Sequence, residues 1–241
     1  MIIFSLALAI YPMNPSTAAG WKIDFDYDTV DCQYETGEEF IECVEGMSYV
    51  AEDVLINHNS SEFTVTDFYS QNWDGIVQSV EMHDDVITSN YDSTMDWLWL
   101  NSSVSYTIYI MDTKLQFVTA NPNIIPRSLL TLKEKSGITN LYVKAIRHEK
   151  LNFPDKPCEP SPEYNFATCL EESAVDSVGC QPPWIRFSSK GQTLCNNWTV
   201  LQQYGERIWT LHDMDRNELF EATNCLMPCT FMEYKESPKN L

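Results

Sequence analysis

Cys158-Glu-Pro-Ser-Pro-Glu-Tyr-Asn-Phe-Ala-Thr-Cys-Leu-Glu-Glu-Ser-Ala-Val-Asp-Ser-Val-Gly-Cys180, followed downstream by Thr199-Val-Leu-Gln-Gln-Tyr-Gly-Glu-Arg-Ile-Trp-Thr-Leu211, combines helical spacing with flanking cysteines. Ser161 before Pro162 reads as a helix cap followed by proline at the first helical position, where a backbone N–H is not needed. Phe166, Leu170 and Ala174 then share one face at helical spacing, and Gly179 marks the end. Thr199-Val-Leu-Gln202 is a capping-box pattern, whose hydroxyl and amide satisfy the first free donors of a second helix. Leu201, Tyr204, Ile208 and Leu211 continue it, with Leu219 and Ala222 further along, and Gly205 or the polar patch Asp213 to Asn217 kinks or divides it. The expectation is a helical hairpin from Pro162 to Ala222 with cysteines at its ends.

A two-helix hairpin buries too little apolar surface to hold itself, so covalent staples are the physical remedy. Eight cysteines are present, and Cys158, Cys169, Cys180, Cys195, Cys225 and Cys229 crowd into the final third. Antiparallel helices place them opposite one another in nested order. That order predicts Cys158–Cys229 outside, Cys169–Cys225 within and Cys180–Cys195 closing the tip. Chain-entropy arithmetic gives about 3 kcal/mol for the tip loop and about 4 kcal/mol for the largest, not additive when nested. A local Cys32–Cys43 pair completes an even count, although spacing alone does not fix pairing. The competing reading of Cys225-Leu-Met-Pro-Cys229 is a zinc site, which lacks a second tight Cys or His pair.

Fifteen Lys and Arg against 35 Asp and Glu give a formal charge of −20, which repels nucleic acid and anionic headgroups and favours cations or basic partners. Asn59-Ser-Ser, Asn101-Ser-Ser and Asn197-Trp-Thr are glycosylation acceptor triplets, and with the even cysteines they point to an extracytoplasmic protein. The apolar run Ile2 to Tyr11, followed by Thr17-Ala-Ala-Gly20, reads either as a leader cleaved after Ala19 or as the stump of a membrane helix. No later stretch approaches the roughly 20 apolar residues of a spanning helix.

Residues 21–103 are acidic and weakly periodic, and short elements with long loops are expected there. From Val104 the pattern changes. Tyr106, Ile108 and Ile110 alternate with Ser105, Thr107 and Tyr109, the period of a half-buried strand, and Leu115 to Thr119 and Asn140 to Ile146 are further strand candidates. Between Phe153 and Pro162 four prolines predict a stiff extended connector that ends this sheet region near residue 157.

Taken in order, Pro157-Cys158, Tyr164-Asn-Phe-Ala-Thr-Cys169, Gly179-Cys-Gln-Pro-Pro-Trp184, Leu194-Cys195 and Cys225-Leu-Met-Pro-Cys229 through Tyr234 resemble the thumb region of degenerin/epithelial sodium channels. Upstream, Tyr106-Thr-Ile-Tyr-Ile110, Asn121-Pro-Asn-Ile-Ile-Pro-Arg127 and Leu141-Tyr-Val-Lys-Ala-Ile146 are similar to palm strands of the same family, especially its invertebrate members. The likeness runs from Val104 to Tyr234 and hardly touches the first hundred residues. It implies a finger-like region at 21–103, a palm at 104–157, a thumb at 158–234 and a truncated tail at 235–241. Thumb helices would span Pro162 to Val178 and Val200 to Thr223, with Trp184 packing the hairpin tip.

The resemblance implies a homo- or hetero-trimeric, sodium-selective and often amiloride-sensitive cation channel at the plasma membrane, gated through its extracellular region. The residues up to Leu241 do not reach the second membrane helix or its small-residue filter, so no residue here is assigned to ion selection. The alternative is a secreted cysteine-rich ligand-binding protein on the same fold. No nucleophile elbow, phosphate loop or dinucleotide glycine pattern occurs, so neither an enzyme nor a cofactor is expected. Asp24-Phe-Asp-Tyr-Asp28 with Glu35 imitates calcium-loop spacing, but Thr29 stands where the turn needs glycine. His58, His83, His148 and His212 are scattered, and one of them would sense protons only if it faced a carboxylate. The sequence therefore predicts an α+β ectodomain fragment: a β-rich palm with irregular finger insertions and a disulfide-stapled helical thumb.

Overall fold

The alternation that begins at Val104 becomes a strand, Ser105–Asp112, with Tyr106, Ile108 and Ile110 buried and the residues between them half-exposed. The computed structural model describes residues 6–13, 51–58, 63–69, 76–82, 98–115, 128–133, 143–183, 192–195 and 198–236, with single positions at 36, 39, 42 and 43. Its strands are β1 (Leu6–Met13), β2 (Leu55–His58), β3 (Phe63–Tyr69), β4 (Ile76–Met82), β5 (Leu98–Leu100), β6 (Ser105–Asp112), β7 (Ser128–Leu132), β8 (Val143–Glu149) and β9 (Thr230–Glu236). One antiparallel sheet has the order β3-β4-β1-β6-β7, and two-stranded sheets pair β2 with β5 and β8 with β9.

Leu6 to Met13, within the segment read as a leader or membrane stump, form β1 in the middle of the larger sheet. Ala7 to Ile10 pair with β4 on one edge, and all of Leu6 to Met13 pair with β6 on the other. Leu6, Leu8 and Ile10 alternate with Ala7, Ala9 and Tyr11, and a strand covered on both faces reads as a continuous apolar run. Leu8, Ile10 and Tyr11 are buried, and the Tyr11 ring meets Tyr109 edge-on at 5.3 Å. Pro12 lies beyond the last residue paired with β4, where a missing N–H is tolerated.

The acidic region is also more regular than expected. It supplies α1 (Ala51–Val54) and β2 to β5, because Phe, Val, Thr and Tyr in Phe63-Thr-Val-Thr-Asp-Phe-Tyr69 favour a pleated surface despite interspersed acids. The strand expected at Leu115 to Thr119 does not begin at Leu115. β6 ends at Asp112, a 3-10 turn covers Thr113–Leu115, and residues 116–119 lie outside the described residues.

The helices are α2 (Phe166–Val178), α3 (Trp198–Asp213) and α4 (Arg216–Thr223). Ser161 is not the cap of α2. Ser161 to Tyr164 form a turn, and Asn165, an equally good cap nearer the apolar face, accepts from the Thr168 N–H at 3.1 Å. Thr199 lies inside α3, whose helical hydrogen bonding already includes Trp198. Gly205 also lies within α3, and the second helix divides at Met214 and Asp215, where Asp215 and Glu218 form a capping box.

Gly179 closes α2 with φ 84, the left-handed conformation that glycine adopts without a Cβ penalty. Open space surrounds its would-be Cβ, so only backbone strain opposes a side chain there. Gly179→Ala is expected to lower the urea-unfolding free energy by about 1 kcal/mol, and an unchanged midpoint would count against this cap.

Apolar side chains form two clusters. One joins Leu115, Phe166, Leu170, Ala174, Tyr204, Ile208 and Phe231 between the helices. The other joins Leu8, Ile10, Tyr106, Ile108, Ile110, Met232 and Tyr234 against the sheet. The chain is thus a mixed α and β protein in which the longer helices, α2 to α4, stand together in one inserted segment.

Candidate functional site at the base of the stapled hairpin

The helical hairpin is an insertion between two adjacent strands. β8 and β9 pair from Val143↔Glu236 to Glu149↔Thr230, and the Lys150 N–H extends the ladder to the Cys229 carbonyl at 2.8 Å. Everything between residues 150 and 229 leaves and returns through that ladder. Just above it, Glu159 and Met227 to Cys229 make a short parallel bridge, with Glu159 N to Met227 O at 3.0 Å and Cys229 N to Glu159 O at 2.8 Å.

The disulfides form a nested series upward from this base: Cys158–Cys229, then Cys169–Cys225, then Cys180–Cys195. Cys225 and Cys229 therefore bond to different partners, which removes the zinc reading of that pair. Three disulfides belong to an oxidising, extracytoplasmic compartment. No helix among the described residues is long and apolar enough to cross a membrane.

Sheet and hairpin meet at one buried carboxylate. Asp112, 1% exposed, accepts from the Met232 N–H through Oδ2 at 2.8 Å and from the Lys114 N–H through Oδ1 at 3.0 Å. Lys114 Nζ in turn donates to the Pro162 carbonyl at the start of the hairpin. In both segments the change of cluster occurs here: Ile110 packs with the sheet and Leu115 with the helices, Met232 with the sheet and Phe231 with the helices. These groups join the base of the hairpin to the sheet. Asp112 escaped the sequence reading, although an aspartate at a strand end followed two residues later by a free N–H is a recognisable turn signal.

The outer face of the ladder carries a charge cluster. His148 Nε2 lies 2.8 Å from Glu233 Oε2, and Lys235 Nζ lies 3.0 Å from Glu233 Oε1. The His148 ring stacks on Phe231 at 4.8 Å, and Lys150 Nζ sits over the same ring at 4.7 Å. Burial opposes the charge on Glu233, but the hydrogen bonds and charges of His148 and Lys235 outweigh it and hold the carboxyl below its ordinary value of 4.5.

A carboxylate held low stabilises the fold above the unfolded-state value and loses that contribution as pH falls through the folded-state value. The difference in melting temperature between the wild type and Glu233→Gln is therefore expected to be full above pH 4.5 and to shrink below it. A difference that stays constant through the acid range would exclude this role for Glu233.

Inside the hairpin, burial and then the Glu171 carboxylate push the Tyr204 phenol well above its ordinary value, and burial with Glu159 pushes Tyr164 up to about 12. Both phenols stay protonated at neutral pH.

Other singled-out residues distribute as follows. Cys43 is disulfide-bonded and packs against the helical cluster, while Cys32 lies outside the described residues. Asn101 is half-buried, its Nδ2 donating to the Asp53 carbonyl at 3.0 Å and its Oδ1 accepting from the Ser103 N–H at 3.0 Å. The nitrogen that would carry a glycan thus pins β5 to α1. Asn59, Asn197, Trp184, His83 and the calcium-like segment Asp24 to Asp28 with Glu35 lie outside the described residues. His58 falls in β2, His212 in α3, and His148 faces the Glu233 carboxylate. Compared with models of known protein families and with curated proteins, the chain matches none.

Proposed function

We propose that this chain is the extracellular gating region of a sodium-selective cation channel subunit that works in a homo- or hetero-trimer. In this reading β1 and β6 to β9 serve as the palm, the inserted hairpin as the thumb and residues 21–103, with β2 to β5, as the finger-like part. The observation that carries it is the way the hairpin is inserted, with both of its ends running directly into paired strands. A rod stapled along its length moves as a unit, and its two ends continue into two adjacent strands that lie beside the sheet. Such an arm turns a stimulus at its tip into a displacement of β8 and β9. No conducting element is assigned to these residues, so the polypeptide reconstituted by itself should pass no current.

The test is expression of the complete reading frame in a cell otherwise lacking sodium current. A sodium-dependent inward current, with activation altered by Asp112→Asn at unchanged surface level, is the expected result. A product recovered wholly in the medium, with no current, would overturn the reading in favour of a secreted ligand-binding protein.

A further inference from the structure

Asn101-Ser-Ser103 opens the turn between β5 and β6, and each polar atom of its asparagine is held. The Asn101 N–H donates to the Val54 carbonyl at 2.8 Å, which carries the β2–β5 ladder one residue past the Leu55↔Leu100 pair. Its carbonyl accepts from the Val104 N–H at 3.2 Å and from the Tyr106 hydroxyl at 2.8 Å. The side chain closes a turn of its own, with Oδ1 accepting from the Ser103 N–H at 3.0 Å while Nδ2 donates to the Asp53 carbonyl at 3.0 Å. An amide nitrogen carries two hydrogens, and among the described residues only one of them is used here. A sugar on Nδ2 replaces one hydrogen and keeps the other, so modification is compatible with the bond to Asp53. Ser103, whose hydroxyl completes the acceptor triplet, is exposed.

Trp99 stands two residues before Asn101. Side chains at that spacing in extended backbone share a face, about 7 Å apart along it. Trp99 is 61% exposed, more than Phe153 or Trp209, and has no ring or cation partner among the described residues. A tryptophan left in water beside an acceptor asparagine is a large apolar surface with nothing to cover it.

We propose that Asn101 carries an N-linked glycan and that Trp99 is the platform on which its first sugar lies. The donor is a lipid-linked oligosaccharide diphosphate. A bond forms between Asn101 Nδ2 and C1 of the sugar, the bond from C1 to the diphosphate oxygen breaks, the lipid diphosphate leaves with that electron pair, and the nitrogen gives up one proton. A pyranose ring presents apolar C–H groups on its face, and these meet the negative face of the indole. The proposal rests on local geometry and holds whether the chain gates a channel or is secreted.

The experiment is expression of the full chain in secretory cells, with recovery from medium or membranes, peptide mass mapping at residue 101 and thermal melting. Wild type and Ser103→Ala are compared alone and in the Trp99→Thr and Trp99→Phe backgrounds. Ser103→Ala removes the acceptor hydroxyl but keeps the backbone N–H that Asn101 uses, and threonine suits a strand. A glycan at Asn101 is expected in the wild type and none in Ser103→Ala. Its loss should lower the melting temperature by about 2–4 °C with tryptophan or phenylalanine at position 99 and by less than about 1 °C with threonine. An unmodified Asn101 in the wild type overturns the proposed site. The same change on losing the glycan in all three backgrounds overturns the role of Trp99.

Discussion

Replacing Cys169 and Cys225 together by serine is expected to lower the unfolding free energy by about 3 kcal/mol, the same as replacing Cys180 and Cys195. The equality is not obvious, because the two bonds span 56 and 15 residues. Taken alone, a loop of the larger size corresponds to about 4 kcal/mol in the chain-entropy account. The inner bond, however, does not act alone. Cys158 and Cys229 lie 71 residues apart, so with the outer bond intact the inner one closes only a further loop set by the difference, 15 residues. That equals the separation at the tip. Serine adds a buried hydroxyl in both variants, at Cys225 (3% exposed) and at Cys195 (2% exposed), so this contribution cancels in the comparison. Urea unfolding followed by circular dichroism gives both values. An inner-bond loss exceeding the tip-bond loss by more than about 1 kcal/mol would mean that the nested ladder does not constrain the unfolded chain in this way.

The hairpin was legible in the sequence because its signals are local. Phe166, Leu170 and Ala174 at helical spacing, Gly179 as a stop and antiparallel logic for six cysteines require no knowledge of the rest of the chain, and all three helical residues are buried. Helix starts were less legible, since Ser161, Asn165 and Thr199 are all chemically able to cap and only the surrounding backbone selects Asn165. Non-local pairing was hardest to read. In β1 the alternation of leucine and isoleucine with alanine is hidden by apolarity on both faces, so the run shows no strand period in the sequence. β9 follows the last cysteine with no turn signal of its own, and its partner β8 lies some eighty residues earlier. The His148–Glu233 pair has the same origin: both residues are ordinary in sequence, and the ladder brings them within 2.8 Å.

Asp112→Ala is expected to be the most damaging single substitution at the base, lowering stability by about 4 kcal/mol. The carboxylate is 1% exposed and receives two backbone N–H groups, those of Met232 and Lys114. Hydrogen bonds to a charged acceptor are roughly twice as strong as neutral ones. Alanine removes both and leaves the Met232 donor in a buried strand, 5% exposed, with no acceptor at that position. Asn is the informative partner variant. It keeps one acceptor oxygen but turns an amide N–H toward one of the two donors, so about half of the loss should remain. Because β6 and β9 both cross from the sheet cluster to the helical cluster beside Asp112, the loss should also be local in kind. Amide exchange at Met232 and along β8–β9 should accelerate well before exchange within α2 and α3, whose hairpin keeps its disulfides. A uniform acceleration across the chain, or a melting curve within about 1 kcal/mol of wild type, would show that Asp112 is a core residue like any other and does not join the hairpin to the sheet.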